Sequence, residues 1–318
     1  MRGRYAPSPT GMIHLGNART ALAAWLSARR QGGTFVWRVE DLDGPRTVPG
    51  LAEAQLEDLA WLGLDWDEGP DRGGPFAPYL QSQRTDLYES ALARLAEAGR
   101  LFPCRRSRKD LQGLASAPHG PEGPPYPAEL RPSHLPADWY LREEERRDAA
   151  LRFRVDSQEV RFVDQVFGPL AERVDLTVGD FVLQRRDAFF AYQLAVVVDD
   201  LAMGITEVVR GADLLTSTAR QIQLLAALGG APPAYAHVPL VVGPQGEKLS
   251  KRDEALTLRS LREAGVRAER VAGLFGASLG LVEAGEECAP RDLIPRFAWE
   301  LVPREEWRIP SPLYPARP

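Results

Sequence analysis

Two short stretches of this chain combine residue types suited to handling phosphate. The first is Arg4-Tyr5-Ala6-Pro7-Ser8-Pro9-Thr10-Gly11-Met12-Ile13-His14-Leu15-Gly16-Asn17. It falls where an opening strand gives way to a helix, and in a parallel α/β sheet ligands bind outside the carboxyl ends of strands, against helix N-terminal N–H groups. Two prolines stiffen the turn, Gly11 and Gly16 let a ligand approach the backbone, and His14 can donate to phosphate oxygens. A surface turn capped by Thr10, with His14 exposed, would account for the same letters. The second stretch is Glu247-Lys248-Leu249-Ser250-Lys251-Arg252. Two lysines around a serine suit charge that develops on phosphate oxygens in a pentavalent transition state. A solvated basic loop is the plain alternative, but the two stretches in this order are more specific than either alone.

The elements that must carry these residues follow from periodicity and stop signals. Arg2 to Ala6 is expected as a strand, a helix from about Leu15 stops at Gly32-Gly33, and Thr34 to Glu40 forms a second strand. Apolar spacing predicts helices around Leu51–Leu62 and Tyr88–Leu95, then Tyr192–Met203, Leu214–Leu228, Leu256–Ala264, Ala268–Leu274 and Pro290–Val302, with a strand at Glu207–Arg210. The βαβ rhythm implies an α/β, Rossmann-like doubly wound parallel sheet. His119 to Pro136 is dense in Pro and Gly and interrupts that rhythm, so an insertion domain is expected there. The expected organisation is 1–100 and 181–235 as two halves of a catalytic domain, 101–180 as the insertion, and 236–318 as the lysine-serine loop with a short helical C-terminal region.

Composition narrows the class further. The 318 residues are 44% hydrophobic and 26% charged, enough for a sizeable core. Thirty-nine Lys plus Arg against 44 Asp plus Glu leave a net charge of -5, so bulk charge does not point to nucleic acid and any RNA contact must be local. Candidate basic clusters are Arg29-Arg30, Arg105-Arg106 to Lys109, and Arg142 to Arg147. The longest apolar runs, such as Leu194–Val198, fall far short of the roughly 20 residues that span a bilayer. A cytoplasmic monomer with Cys104 and Cys288 both reduced is the expectation.

Arg4 to Gly11, His14-Leu15-Gly16-Asn17, Arg38-Val39-Glu40-Asp41-Leu42-Asp43 and Lys248-Leu249-Ser250-Lys251-Arg252 together resemble the glutamyl branch of the class I aminoacyl-tRNA synthetases, over about residues 1 to 260. Asn17 stands where the class-wide His-x-Gly-His pattern has its last histidine, leaving His14 to contact phosphate. The resemblance implies glutamate contacts at Arg4, Ser8, Glu40, Tyr192 and Arg210. Arg4 or Arg210 would hold the side-chain carboxylate in bidentate fashion, Glu40 would answer the α-ammonium, and Tyr192 would close the pocket. It implies ATP contacts at Thr10, Gly11, His14, Gly16, Asn17 and Lys251, and catalysis by His14, Lys248, Ser250 and Lys251, with ATP and Mg2+ required.

Only about 65 residues follow Lys251, which leaves no room for an anticodon-binding region of the conventional kind. In this the chain resembles the short forms of the glutamyl branch, and that resemblance implies activation of L-glutamate without tRNA and its esterification to queuosine at the wobble position of tRNA(Asp). Its relatives often carry zinc on Cys-x-Cys followed by Tyr-x-x-x-Cys. Here Arg106 and Leu130 replace two of those ligands, so zinc is not expected, unless His119 or His134 substitutes. Three alternatives were open: a synthetase charging the 3′ end of a tRNA, a pantothenate-synthetase-like ligase, and a non-catalytic paralogue. The Arg-Tyr-Ala-Pro-Ser-Pro-Thr-Gly segment disfavours the second, and the intact Lys248, Ser250 and Lys251 disfavour the third.

Overall fold

A computed structural model describes residues 1–107, 110, 124–246 and 256–310. Its centre is a six-stranded sheet in the order β2-β1-β8-β9-β5-β6. The strands β1 (Arg2–Tyr5), β2 (Thr34–Trp37), β8 (Glu207–Gly211), β9 (Ala234–Val238) and β5 (Val160–Asp164) run parallel, and β6 (Gly168–Glu172) closes one edge as an antiparallel hairpin partner of β5. A second sheet of three antiparallel strands, β3 (Leu101–Cys104), β4 (Ala150–Phe153) and β7 (Phe181–Gln184), forms the inserted layer.

The helix that follows β1, α1 (Leu15–Arg30), is buried along most of its length, with Ala18, Ala21, Ala23, Ala24 and Ala28 allowing it to lie close against the sheet. Gln31 caps its C-terminus just before Gly32, which has φ 58° and ends the helix as the glycine pair predicted. Arg19 is buried in this helix and donates to Ser278 Oγ (2.7 Å), Ser278 O (3.0 Å) and Pro239 O (2.8 Å). A guanidinium without water must find acceptors in the protein. Those it finds tie the first helix to the C-terminal helices and to the turn after β9.

Helices α2 (Leu51–Leu62), α3 (Thr85–Glu97), α4 (Tyr192–Ala202), α5 (Thr218–Ala227), α6 (Leu258–Glu263) and α7 (Ala268–Ser278) fall within a few residues of their predicted positions. The region 290–302 differs. It breaks into a four-residue helical turn, Pro290–Leu293, and two 3₁₀ turns, Ile294–Arg296 and Trp299–Leu301. Pro295 has no N–H to give to an α-helical ladder and crowds the carbonyl one turn back. Leu214–Leu228 likewise starts as a 3₁₀ turn over Ala212–Ser217 before α5 begins.

Chain segments and layers do not divide where composition changes. The hairpin 160–172, expected within the insertion, completes the main sheet, because Asp164 pairs with Tyr235 of β9 and Phe162 packs edge-on against the Tyr235 ring. Residues 181–184, expected in the returning catalytic half, supply the third strand of the inserted sheet through β4. Strand register is fixed by backbone hydrogen bonds between distant segments, which local composition does not encode.

Cys104, Phe102 and Tyr126 form a small core with Leu130 and Leu135 against it, and the Tyr126 hydroxyl lies 3.6 Å from Cys104 Sγ and donates to Leu130 O at 3.2 Å. The positions of the relatives' zinc motif thus converge here with apolar packing around the one thiol, while Arg106 is exposed. His119 lies outside the described residues, and among those described no three His, Cys, Asp or Glu side chains converge to hold a metal. No helix among them is long and apolar enough to cross a membrane.

Candidate active site

The carboxyl ends of β1, β8 and β9 and the start of α1 enclose a cleft of about 420 Å³. One wall carries Arg4, Ser8, Glu40, Tyr192 and Arg210. The facing wall carries His14, Gly16 and Asn17 at the head of α1, together with Gly211, Asp213 and the strand leading through Leu240 to Val241. Eight of the residues that the sequence singled out therefore share one cavity. Thr10 and Gly11 do not line it; the Gly11 carbonyl faces the other way and accepts from Gln55 Nε2 at 2.8 Å. Lys248, Ser250 and Lys251 lie outside the described residues. The chain on either side of them is anchored beside the cleft. Val241–Val242 (β10) lines or adjoins it and pairs with Trp307–Arg308 (β11), and Thr257 bridges His14 while Leu258 N donates to Ile13 O at 2.9 Å.

His14 is the N-cap of α1. Its Nδ1 accepts the Asn17 N–H at 3.3 Å, so the cap is this imidazole rather than Thr10. Burial lowers the pKa of the ring, against a smaller opposing pull from the Asp213 carboxylate. A neutral imidazole with Nδ1 engaged as acceptor carries its proton on Nε2, and the cap therefore fixes the tautomer that can donate to a phosphate. Gly16 makes room for this: a Cβ at that position would stand 3.1 Å from the His14 ring. The first turn of α1 contains no acidic residue, so within the helix itself nothing opposes the positive end of its 16 residues.

The opposite wall is a grid of charge. Arg4, only 4% exposed, directs Nε and one terminal nitrogen at Asp200 (3.2 to 3.4 Å) and the other at Val209 O (3.2 Å). Arg38, fully buried, meets Asp200 Oδ1 at 2.7 Å and Glu40 Oε1 at 3.2 Å. Asp200 is held below the usual carboxylate range by these two guanidiniums, in spite of burial. Glu40 is pushed up by burial, with Arg38 and Arg4 opposing, so its carboxylate would gain from an additional cation in the cleft. Its place is set by the backbone: Glu40 N donates to Pro7 O at 3.0 Å, which continues the β1–β2 pairing beyond the regular strands and brings Glu40 beside Ser8.

Arg210, at 5% exposure, is different in kind. Its Nε donates to His237 Nε2 (2.9 Å), one terminal nitrogen to Gln221 Oε1 (2.7 Å) and the other to Thr218 Oγ1 (2.9 Å). All three acceptors are neutral side chains, and among the described residues no carboxylate lies within ion-pair distance of it. A guanidinium has five N–H groups. With three spent in this way, each terminal nitrogen keeps one for a ligand. The sequence left Arg4 and Arg210 open as the carboxylate holder. Of the two, Arg4 already faces a carboxylate, and Arg210 meets none among the described residues.

Several contributors were not singled out from sequence. Arg38, Asp199 and Asp200 brace the charged wall, and Gln193, Thr218, Gln221, His237 and Asp164 brace Arg210. A signal did exist for some of them. His237 is a lone imidazole in the apolar strand Ala234–Val238, and Gln221 sits on the buried face of α5, and polar groups at such positions need partners. Of the basic clusters, Arg29 is paired with Asp65 and Asp67, Arg142 with Asp138 and Arg147 with Glu143, while Arg105 is turned onto the Glu144 and Glu145 carbonyls.

A helix N-terminus meets a cleft lined by the Glu40 and Asp213 carboxylates and by a guanidinium with no carboxylate partner among the described residues, at the carboxyl end of a parallel sheet, an arrangement of the ligand-binding α/β enzyme class. Residues 1–303 match the model of the family described as tRNA synthetases class I (E and Q), catalytic domain, and the chain belongs to that family. It is 52% identical over 312 residues to the glutamyl-Q tRNA(Asp) synthetase of Symbiobacterium thermophilum, covering 97% of this chain and 96% of that one. Identity to the protein of the same name from Nitratidesulfovibrio vulgaris is 47% over 312 residues, with 98% and 96% covered. The glutamate–tRNA ligase 2 of Syntrophus aciditrophicus is 41% identical over 304 residues, 93% of this chain and 61% of that one. Among solved structures, a glutamate tRNA ligase from Elizabethkingia meningosepticum in complex with its amino acid superposes with TM-score 0.85 at 29% identity, over 99% of this chain and 68% of that one.

Proposed function

We propose that this enzyme uses ATP to activate L-glutamate as glutamyl-adenylate and transfers the glutamyl group to queuosine at the wobble position of tRNA(Asp). The observation that carries the amino-acid half is Arg210, a buried guanidinium with no carboxylate partner among the described residues, lining the same cleft as the Glu40 carboxylate. An amino acid with a side-chain carboxylate for the first and an α-ammonium for the second completes both, and Arg4, Ser8 and Tyr192 enclose it. ATP, entering as its magnesium complex, would lay its phosphates over His14, Gly16 and Asn17. The α-carboxylate oxygen then attacks the α-phosphorus and the bond to pyrophosphate breaks. Lys248, Ser250 and Lys251 are assigned to the charge that develops at that phosphorus, on the sequence pattern alone.

The acceptor half rests on kinship. Identity is higher to the relatives named glutamyl-Q tRNA(Asp) synthetase (52% and 47%) than to the glutamate–tRNA ligase (41%). A second cavity, of about 690 Å³, shares Ser8, Glu40 and Tyr192 with the first and runs past Asp43, Arg46, Arg185 and Phe189. We assign this cavity to the acceptor, whose hydroxyl would reach the glutamyl carbonyl there. It attacks that carbon and AMP leaves. We place the enzyme in the cytoplasm as a monomer.

Pyrophosphate exchange into ATP should depend on glutamate and proceed without added tRNA, since the glutamate contacts proposed here are all supplied by the protein. Glutamine should be a poor substrate, because its amide cannot form the charge-assisted pair with Arg210. Exchange that requires tRNA, or equal rates with the two amino acids, would contradict this reading.

A further inference from the structure

Behind Arg210 stands a chain of buried groups that never reaches the cleft. His237, fully buried in β9, lies between Arg210 and Asp164: Nε2 is 2.9 Å from Arg210 Nε, and Nδ1 is 2.6 Å from Asp164 Oδ2. Guanidinium nitrogens only donate, so Nε2 must be the acceptor and the ring proton must sit on Nδ1, facing the carboxylate. Thr218 Oγ1, 3.3 Å from the same Nε2, completes the cage around the guanidinium. Asp164 is itself locked at the end of β5, because its Oδ1 accepts from the backbone N–H of Val166 (3.0 Å), Phe167 (2.9 Å) and His237 (3.3 Å).

We infer that Asp164 and His237 are positioning residues for amino-acid selection: through a single imidazole tautomer they aim Arg210 at the side-chain carboxylate of the substrate. This inference rests on the reading that Arg210 holds that carboxylate. The geometry assigns each atom a direction. Asp164 can only accept, which keeps the proton on Nδ1. Nε2 is thereby an acceptor, and it takes the Arg210 Nε–H. With Gln221 and Thr218 on the terminal nitrogens, the guanidinium plane is fixed and its remaining N–H groups are left for the ligand. The device gives the arginine an orienting hydrogen bond on Nε without placing a carboxylate against it, which would compete with the substrate for the same charge. It also makes specificity depend on the β5–β6 hairpin, which belongs to the far edge of the sheet.

Asparagine at 164 tests the tautomer. Its carbonyl oxygen would stay with the three backbone N–H groups and its NH2 would face Nδ1, driving the ring proton to Nε2, donor against donor with Arg210. Glutamate-dependent pyrophosphate exchange by the full chain should then show a KM for glutamate about tenfold or more higher, and a glutamate-to-glutamine preference lower by a similar factor. The maximal rate and the KM for ATP should stay within about threefold. Two substitutions at 237 separate orientation from mere folding. His237→Gln presents an acceptor oxygen where Nε2 was, and should keep the KM near the parent value. His237→Asn keeps the donor toward Asp164 but leaves Arg210 without an acceptor, and should match Asp164→Asn. Thermal melting and the KM for ATP report folding independently, and the 237 pair decides the matter if the 164 variant fails to fold. Equal effects from Gln and Asn, or an unchanged glutamate KM and preference in Asp164→Asn, would overturn the inference while leaving Arg210 in place. If Arg210→Gln itself binds glutamate normally, the carboxylate assignment falls and this inference with it.

Discussion

Replacing Arg210 by glutamine should raise the KM for glutamate by about 10²-fold, with the maximal rate of pyrophosphate exchange changed only a few-fold. Truncating one partner of a buried, hydrogen-bonded charge pair costs on the order of 2–5 kcal/mol, which is roughly 30-fold to several thousandfold in affinity. Arg210 meets the conditions for that range, being 5% exposed and held by three neutral acceptors, and a loss of about 10²-fold lies within it. The contact is to the side chain of the amino acid, far from the phosphorus. It is made equally in ground and transition states, so the loss appears in KM rather than in the rate of the chemical step. The preference for glutamate over glutamine should collapse at the same time. A variant that loses its maximal rate but keeps its glutamate KM would remove Arg210 from the pocket and return the choice to Arg4.

The second large effect is on stability. Asp199, in the second half of α4 and wholly buried, accepts from Gln81 Nε2 (2.8 Å), Arg84 Nε (2.6 Å) and the Tyr88 hydroxyl (2.9 Å), so one carboxylate joins α4 to α3 and the turn before it. Asp199→Ala leaves the buried Arg84 guanidinium without its counter-charge and should destabilise the protein by about 3–5 kcal/mol. By contrast Arg29→Ala, whose partners Asp65 and Asp67 are 64% and 45% exposed, should cost no more than about 1 kcal/mol. Denaturant midpoints measured with an unchanged m-value compare the two directly. Equal midpoints for the two variants would show that Asp199 does not bear the weight assigned to it. The neighbouring Asp200 does the corresponding work toward Arg4 and Arg38, so the Asp199-Asp200 pair fastens the active-site wall to the rest of the domain.

What could be read from the letters was governed by range. The strand–turn–helix at Arg4–Leu15 is local, and so is the Gly32-Gly33 stop, and both lie where periodicity and stop signals put them. Residues picked by family pattern at Arg4, Ser8, His14, Glu40, Tyr192 and Arg210 come to one cleft because each sits at a strand end or a helix start on the same side of a parallel sheet. What was hidden depends on pairing between distant segments. Nothing near Asp164 announces that β5 will lie beside β9, so neither its link to His237 nor the course of the 160–172 hairpin was legible. The cap on α1 was not legible for a related reason: Thr10 is a usual residue type for a cap, but the turn carries four more residues before helical geometry begins, and His14 takes the position.

The most direct test of the central claim uses an anticodon stem-loop of tRNA(Asp) with no acceptor arm. Given ATP and labelled glutamate, the fragment bearing queuosine should become labelled, with the label recovered on the cyclopentene-diol of that nucleoside, and the same fragment with guanosine at the wobble position should not. Periodate cannot replace this comparison, since it cleaves the terminal ribose diol as readily as the queuosine diol. Labelling of full-length tRNA(Glu) at its 3′ end, with both stem-loops inert, would contradict the account.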